Sequence, residues 1–332
     1  MGKKKRSNQL LLLVGAGILI ILYMVYISYY HSIMEQAGIK DDEPAGSYKY
    51  QFDMIVDRPN SAFWQAAYGS ALNTAEDNEI LLEIKGPDWE TEYDKNDFMN
   101  MSIAAQVNGI IVEYNGEAGL EEKINEAVEN GIPVVTVMSD APKSQRQSFV
   151  GVSDYQMGTE YGRQVASLVD GNTREILVLI KRNLDDMNQS MIYTQINNAA
   201  LKKAGQGQRI EVKGRNLLSG GLFDTEEAIR DIFQQEGGPP DILVCMDEET
   251  TESAYQAMID FNMAGDVKII GYYTSKNIIG AVKKELIPVT CNVDTSQLGI
   301  YSVQALSEYL EEGRASSYYR VDVNFVTKDN VE

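Results

Sequence analysis

Two short, continuously apolar segments of the sequence are each followed by polar or aromatic side chains. The segment Gly109–Glu113 reads GIIVE, and residues 133–138 read PVVTVM. Such β-branched runs are typical of strands that are buried on both faces of a parallel sheet. In sheets of this kind, ligands bind beyond the carboxyl ends of the strands. The residues that we expect at the rim of a site for a small polar molecule are Glu113, Tyr114, Met138, Ser139 and Asp140.

The sequence gives little support to an enzyme. It contains no P-loop, no G-x-S-x-G or H-E-x-x-H motif and no twelve-residue calcium loop. His31 is the only histidine, so zinc chemistry and histidine-dependent acid–base catalysis lack their usual groups. We therefore predict no catalytic residue, no metal site and no cofactor.

The only two cysteines, Cys245 and Cys291, both lie in apolar segments with strand character. A disulfide between them and two buried free thiols are both compatible with the sequence. Free thiols are favoured, because cysteine packs as a small hydrophobic residue.

Length and charge restrict the class of protein further. At 332 residues the chain exceeds one ordinary hydrophobic core, which predicts two compact bodies. The formal net charge is −20 and is spread along the chain. A surface of this sign repels phosphate backbones, so we expect no nucleic-acid partner.

The N-terminal residues have the pattern of a membrane anchor. Basic residues at positions 3–6 precede the run 10–30, which contains no charged residue and ends in several tyrosines. Its length is about that of a helix that spans a bilayer, and the basic flank should stay in the cytoplasm. We predict a cytoplasmic tail over 1–9, a transmembrane anchor over 10–30 and a linker over 31–47. The alternative is a cleaved secretory signal, which has a shorter apolar core and a small-residue cleavage site.

From residue 48 onward, strand and helix patterns alternate regularly. This alternation predicts an α/β fold with parallel sheets covered by helices on both sides. The predicted strands are 50–56, 80–84, 109–113, 133–138, 148–152, 175–180, 209–214, 242–246, 267–271, 288–292 and 319–326. The predicted helices are 62–74, 94–106, 117–130, 155–168, 187–203, 224–235, 249–263, 277–284 and 296–312.

Several of these segments, in this order, resemble a known family. The segments are NGIIV, GIPVVTV, FVGVSDYQMG, PDILVCMDE, VKIIGYY and VDVNFVTKDNV. Over residues 48–332 the chain resembles the type I periplasmic binding proteins, and most of all the ribose-type sugar receptors of bacterial ABC importers. The resemblance implies two doubly wound parallel-sheet lobes joined by a three-strand hinge and, in this chain, preceded by one transmembrane helix. Lobe 1 would comprise 48–152 and 294–322, and lobe 2 would comprise 153–293 and 323–332.

The resemblance also implies where a sugar would bind in the first lobe. The aromatic pair that stacks on the sugar ring corresponds to Phe63 and Trp64, although either can instead belong to the core. The hydroxyl-binding position after the fourth strand corresponds to Ser139 and Asp140, and Asp140 is equally suited to a turn. Tyr114 would add a further aromatic surface.

In the second lobe the resemblance implies five more ligand-binding residues. Asn188 and Gln189 occupy the loop in which relatives commonly place an arginine, so that cation is missing. Asp247 matches an Asn or Asp of the family and is also suited to cap the helix that follows it. Tyr272 and Tyr273 stand where relatives have an aromatic residue and an aspartate. Tyr273 is as well suited to plug the cleft as to bind in it.

These residues imply an extracytoplasmic, membrane-tethered solute-binding protein. Its ligand would be a small molecule of the sugar class but not a simple pentose, delivered to an ABC permease. The alternative is an accessory protein that senses a ligand and signals to a membrane sensor histidine kinase. Both place the chain at the cell membrane with its binding domain outside. A LacI-type repressor shares the fold, but it requires an N-terminal helix-turn-helix where this chain has the apolar run.

Overall fold

The computed structural model describes residues 23–24, 48–87, 93–181, 190–217 and 222–331, without the side chains of residues 222 and 223. The chain divides into two units, Met1–Tyr48 and Lys49–Glu332. In the first unit the described residues include Tyr23 and Met24, which are helical. The rest of the predicted anchor 10–30 lies outside the described residues. No described helix is both long enough and apolar enough to cross a membrane.

The second unit contains alternating strands and helices, as predicted. Its strands are β1 (Tyr50–Ile55), β2 (Ile80–Lys85), β3 (Gly109–Glu113), β4 (Val134–Met138), β5 (Ser148–Gly151), β6 (Glu175–Ile180), β7 (Glu211–Asn216), β8 (Ile242–Cys245), β9 (Lys268–Tyr272), β10 (Val289–Val293), β11 (Tyr318–Arg320) and β12 (Val323–Thr327). Its helices are α1 (Ala62–Asp77), α2 (Lys95–Ala104), α3 (Leu120–Glu129), α4 (Asp154–Leu168), α5 (Met191–Ala204), α6 (Leu222–Gln234), α7 (Glu248–Asp260), α8 (Lys276–Lys283) and α9 (Thr295–Glu312).

The strands form two six-stranded sheets, and each sheet with its helices is a lobe. The sheet of lobe 1 has the order β11-β5-β4-β3-β1-β2, and its strands are all parallel. The sheet of lobe 2 has the order β12-β10-β9-β8-β6-β7 and is parallel except for the antiparallel pair β10 and β12. The chain passes between the sheets after β5, after β10 and between β11 and β12. Two α/β lobes with parallel sheets confirm the predicted fold class.

The predicted single strand over 319–326 is wrong. This segment forms two short strands in different sheets, β11 and β12, with the chain crossing between the lobes at Val321 and Asp322. The N–H group of Val321 donates to the carbonyl of Gly151 at 2.9 Å, whereas the carbonyl of Asp322 accepts from the N–H group of Asp294 at 3.0 Å. The β-branched composition of the segment suits both strands, so it does not reveal the crossing.

Seven of the described helices begin at side chains that cap them. In each case the cap accepts a hydrogen bond from the backbone N–H of the third helical residue, which satisfies an otherwise unpaired donor. The capping residues are Ser61, Asp94, Ser153, Ser190, Asp247, Ser275 and Asp294. Short polar side chains in the connections that follow strands therefore fix the N-termini of these seven helices.

The helices α1 and α9 pack closely because their contact residues are small. Ala67, Ala71 and Ala75 of α1 are fully buried. A Cβ atom at Gly299 of α9 would lie 2.1 Å from the carbonyl oxygen of Ala67 and 2.8 Å from the nitrogen of Ala71. Only glycine permits this approach of the two backbones. In lobe 2, Cys245 and Cys291 are free and buried, in agreement with the favoured interpretation.

Candidate functional site

A cleft of about 1840 Å³ is lined by residues of both lobes. Lobe 1 contributes residues that follow β1, β3 and β4, and lobe 2 contributes residues that follow β6 and β8. The cleft thus lies beyond the carboxyl ends of the parallel strands, where the sequence predicted a site.

Three of the predicted aromatic residues form one wall of this cleft. The side chains of Phe63 and Trp64, at the start of α1, are buried and meet edge to face with ring centroids 5.2 Å apart. The ring of Tyr272, at the end of β9, lies 5.8 Å from that of Phe63. All three line the cleft, so Phe63 and Trp64 belong both to the core and to the cleft surface. Flat apolar surfaces of this kind suit the C–H faces of a sugar ring.

The hydroxyl of Tyr272 has no hydrogen-bond partner among the described residues. The side chain is only 4% exposed, and burial raises the pKa of this phenol well above its usual range. A buried hydroxyl that is left unpaired costs free energy. The site therefore contains a neutral donor and acceptor that a bound molecule can satisfy.

Tyr273 joins the two lobes and is not among the residues that line the cleft. Its backbone adopts a left-handed conformation, with φ of 68°. Its hydroxyl donates to the carbonyl oxygen of Ala62 at 3.2 Å, and its ring contacts that of Phe63 with a centroid distance of 5.3 Å. Both its hydroxyl and its ring therefore contact lobe 1.

Asp247 lines the cleft and also caps α7, as the sequence predicted. Its carboxylate accepts hydrogen bonds from the backbone N–H of Thr250 at 2.9 Å and from the hydroxyl of Thr250 at 2.8 Å. Burial raises the pKa of this carboxyl, while the charge of Lys181 and the bonds from Thr250 oppose the increase. A partly desolvated carboxylate in this position is a strong acceptor for a ligand hydroxyl.

Arg58, Lys181 and Glu249 form an ion cluster that connects the lobes. The guanidinium of Arg58, in lobe 1, lies 2.8 Å from Oε2 of Glu249, in lobe 2. The ammonium of Lys181 donates to the same oxygen. Next to this cluster, the backbone N–H of Phe63 donates to Oε2 of Glu248 at 3.1 Å. The second carboxylate oxygen of Glu249 is buried and has no partner among the described residues.

These three charged residues were not predicted from the sequence, although a signal for two of them was present. Arg58 comes shortly after β1 and Lys181 comes directly after β6, so both stand at carboxyl ends of strands. The rule that placed Ser139 at the rim applies equally to them. Their shared contact with Glu249 links distant parts of the chain and is visible only in three dimensions.

A second charged cluster lies on the lobe 1 side of the cleft. The ammonium of Lys95 is 4% exposed and lies 2.8 Å from Oδ1 of Asp57, in contact with Glu117 and 2.9 Å from the carbonyl oxygen of Glu113. The carboxylate of Glu113 accepts from the backbone N–H of Asp57 at 2.7 Å and from the side chain of Asn115 at 3.3 Å. Burial and the adjacent charge of Asp57 raise the pKa of Glu113 to about 7.

The remaining predicted site residues have different surroundings. Ser139 is buried and lines the cleft. Tyr114 and Asp140 do not line it. The hydroxyl of Tyr114 donates to Glu121 at 2.9 Å, and burial raises its pKa. Asp140 accepts two hydrogen bonds from the guanidinium of Arg146, at 2.5 and 2.8 Å. The structure therefore gives both residues a partner within lobe 1.

Asn188 and Gln189 lie outside the described residues. Within the described part of the chain, no group of three or more histidine, cysteine, aspartate or glutamate residues could hold a metal ion.

The chain matches the periplasmic binding protein domain family over residues 52–315. It belongs to this family. The match includes strands of both lobes and all of the described residues that line the cleft. The members of the family are binding proteins and not enzymes, and the type I fold implied by the sequence is confirmed.

Solved structures agree on the fold. The chain is 21% identical to GanP, a glucose-galactose binding protein from Geobacillus stearothermophilus, with a TM-score of 0.73 over 85% of this chain and 98% of that one. It is 17% identical to an ABC transporter solute-binding protein from Burkholderia graminis, solved with D-arabinose, with a TM-score of 0.72 over 86% of this chain and 97% of that one. For XylFII in the XylFII-LytSN complex the identity is 22% and the TM-score 0.71, over 85% of this chain and 99% of that one. A comparison with curated proteins found no match.

Proposed function

We propose that this protein is an extracytoplasmic solute-binding protein that takes a small carbohydrate into its cleft. The observation that carries the proposal is the combination of an aromatic wall, Phe63, Trp64 and Tyr272, with acceptors on both lobes, Ser139 and Asp247. Sugars require flat apolar surfaces together with groups that donate and accept hydrogen bonds. Membership of the periplasmic binding protein family supports both the ligand class and the location outside the cytoplasm.

The cleft surface is divided between the lobes in a way that favours closure around a ligand. The chain connects the lobes at three adjacent crossings, near residues 153, 294 and 323. A few backbone dihedral changes at such crossings can rotate one lobe against the other. We propose that the lobes comprise 48–152 with 294–322 and 153–293 with 323–332, and that a ligand stabilises the closed arrangement through contacts to both.

We further propose that the protein delivers the bound sugar to an ABC permease. The apolar run 10–30 would tether the protein to the cell membrane, with the binding unit on the outer side. A tether keeps a receptor near its permease in a cell without an outer membrane. Similarity to solute-binding proteins of ABC transporters supports this role.

A second candidate function is ligand sensing. It is favoured by the similarity to XylFII, which has been solved as a XylFII-LytSN complex, and by the lobe contacts of Tyr273 and Arg58, which occupy part of the space between the lobes. In this function the closed form would contact a membrane sensor histidine kinase. If the protein delivers its ligand to a permease, its loss should abolish uptake of the ligand. If it signals to a histidine kinase, its loss should change transcription and leave uptake intact.

Thermal unfolding of the purified full chain tests the binding function. A panel of mono- and oligosaccharides, polyols and nucleosides should contain a molecule that raises the midpoint by a few degrees. A ligand at about one hundred times its dissociation constant stabilises the folded state by about 2.7 kcal/mol. Asp247→Asn retains the helix cap and removes the charge, so it should reduce the shift. An unchanged midpoint with every sugar would contradict the proposed function.

A further inference from the structure

The residues that line the cleft carry an excess of negative charge. Among the described lining residues, eleven have a carboxyl group and three have a cationic side chain. The acids are Asp57, Asp94, Glu113, Glu117, Asp154, Glu226, Asp247, Glu248, Glu249, Glu252 and Asp260. A cleft lined by one sign of charge concentrates its field and attracts ligands of the opposite sign.

The three lining cations are already engaged with carboxylates. Arg58 and Lys181 both contact Glu249. The guanidinium of Arg230 lies 3.0 Å from Asp260. None of the three is available to pair with an anionic ligand unless a contact between protein side chains breaks. The charge distribution therefore disfavours acidic sugars and sugar phosphates.

One cluster of the lining carboxyls lies on the lobe 1 side of the cleft. There the carboxylates of Asp57 and Glu117 and the backbone carbonyl of Glu113 share a single ammonium, that of Lys95, and the carboxylate of Glu113 accepts from the backbone N–H of Asp57. Burial and then the adjacent charge of Asp57 raise the pKa of Glu113 to about 7, while the charge of Lys95 opposes the increase. A second cation at this position would relieve the repulsion between Glu113 and Asp57.

Two buried polar atoms in the same cleft lack partners among the described residues. They are the hydroxyl of Tyr272 and Oε1 of Glu249, two residues that are 4% and 8% exposed. Both residues line the cleft. Protein interiors rarely leave such atoms unsatisfied, so unpaired atoms on a cleft surface indicate a ligand that bonds to them.

We infer that the ligand is a cationic carbohydrate, an amino sugar whose free ammonium group lies beside Asp57 and Glu113 while its hydroxyls contact Tyr272 and Asp247. This inference rests on the proposed function and specifies its substrate class. The ammonium donates three hydrogen bonds and accepts none, which suits carboxylates that are held close together. The aromatic wall receives the apolar face of the ring.

Calorimetric titration of the full chain tests the inference with matched ligands. The probes are glucosamine, galactosamine and mannosamine, each compared with its hydroxyl parent and its neutral N-acetyl derivative. We expect at least one free amine to bind roughly tenfold or more tighter than both of its neutral counterparts, since a hydrogen bond to a charged group contributes about that factor. The preference should decrease at high salt, because ions screen the partly exposed carboxylates.

Two substitutions test where in the cleft the ammonium group of the ligand binds. Asp57→Asn keeps the shape of the side chain and removes one charge beside the proposed ammonium, so it should reduce the preference for the amine over the neutral sugar. Glu312→Gln removes a charge at the exposed end of α9 and should leave the preference unchanged. The thermal midpoint of each variant checks that it is folded. If Asp57→Asn does not fold, the salt dependence of the original chain decides whether charge underlies the preference for the amine.

The outcomes distinguish failure of the cationic-ligand inference from failure of the proposed carbohydrate-binding function. Neutral sugars that bind as tightly as the amines, or tighter, would overturn the cationic ligand and leave the carbohydrate receptor intact. A preference that persists unchanged in folded Asp57→Asn would overturn the assigned position of the ammonium. If no carbohydrate of either kind binds, the proposed function itself fails.

Discussion

At the scale of single residues, one buried cation, Lys95, holds together the carboxylates on the lobe 1 side of the cleft. Burial alone would lower the pKa of Lys95, but the carboxylates of Asp57, Glu113 and Glu117 raise it above its usual value. Lys95 therefore stays charged although it is buried. Such a group holds several carboxylates at one place and determines the shape of the lobe 1 side of the cleft.

Replacement of Lys95 by methionine should strongly destabilise the protein. The change leaves the carboxylates of Asp57 and Glu117 without their shared cation, and because both are partly exposed the cost should lie between that of a surface pair, below about 1 kcal/mol, and the roughly 3–5 kcal/mol of a fully buried pair. Lys123→Met is the matched control, because its bond to Glu126 is on the surface and should contribute less than about 1 kcal/mol. Urea unfolding measures both variants. Equal free energies of unfolding would show that Lys95 does not organise the cluster.

Glu113 should make stability depend on pH near neutrality. Its pKa rises from a usual value of 4.5 to about 7 on folding, so the folded state binds the proton more tightly than the unfolded state. Stability from this group is therefore complete below about pH 4.5 and is lost as the pH rises towards 7. Glu113→Gln imitates the protonated form. Between pH 5 and 7.5 the original chain should lose roughly 1–2 kcal/mol relative to the variant, and parallel stability curves would refute the assignment.

The sequence identified part of the site at this scale. Strand position predicted Ser139 at the rim, and the family resemblance predicted Asp247, which was also recognised as a helix cap; both line the cleft. Tyr114 and Asp140 follow strands equally well, but partners within lobe 1, Glu121 and Arg146, hold them. Strand position predicts that a side chain stands at the rim and does not predict which neighbour it contacts.

At the scale of elements, close packing of α1 on α9 supports the start of α1, where Phe63 and Trp64 line the cleft. Alternating apolar and polar segments predicted both helices. The close approach at Gly299 was not predicted, because one glycine in a helix has no distinctive sequence signal. The strand pattern predicted one strand in place of β11 and β12, since one apolar segment serves two sheets, although the lobe bounds implied by the family resemblance cross at 322–323.

Gly299→Ala should destabilise the protein, because its Cβ atom would overlap the backbone of α1. Overpacking of this kind costs about 1–3 kcal/mol. Gly69→Ala is the control in α1 itself, where no atom lies within 4 Å of the added Cβ, and it should stabilise by about 0.5–1 kcal/mol because alanine favours the helix. Thermal unfolding measures the loss of stability expected for Gly299→Ala and the gain expected for Gly69→Ala. A neutral Gly299→Ala would contradict the close approach of the helices.

At the scale of the whole molecule, the resemblance of ordered motifs to a family predicted two lobes and a cleft, and the topology of the sheets agrees. Local patterns could not predict that side chains would connect the lobes across the cleft. Arg58 with Glu249, Phe63 with Glu248 and Tyr273 with Ala62 make these connections. They should hold the lobes close together before any ligand arrives.

Arg58→Met should open the molecule when no ligand is bound, because it removes the ion pair between the lobes. Arg230→Met is the matched control, since Arg230 pairs with Asp260 inside lobe 2. Spin labels at exposed positions 129 in α3 and 202 in α5 report the distance between the lobes, and the buried Cys245 and Cys291 should not react. We expect a longer or broader distance distribution in Arg58→Met only. The same distribution in both variants would mean that the pair does not hold the lobes.

Binding of one small carbohydrate between the two lobes is best tested by calorimetric titration of the purified full chain with the sugar that gives the largest thermal shift. We expect one binding site per chain and a loss of affinity of roughly tenfold or more in Asp247→Asn, which removes a charged acceptor from the cleft. Saturable binding that is unchanged in folded Asp247→Asn, or no binding by any sugar, would contradict carbohydrate binding in the cleft.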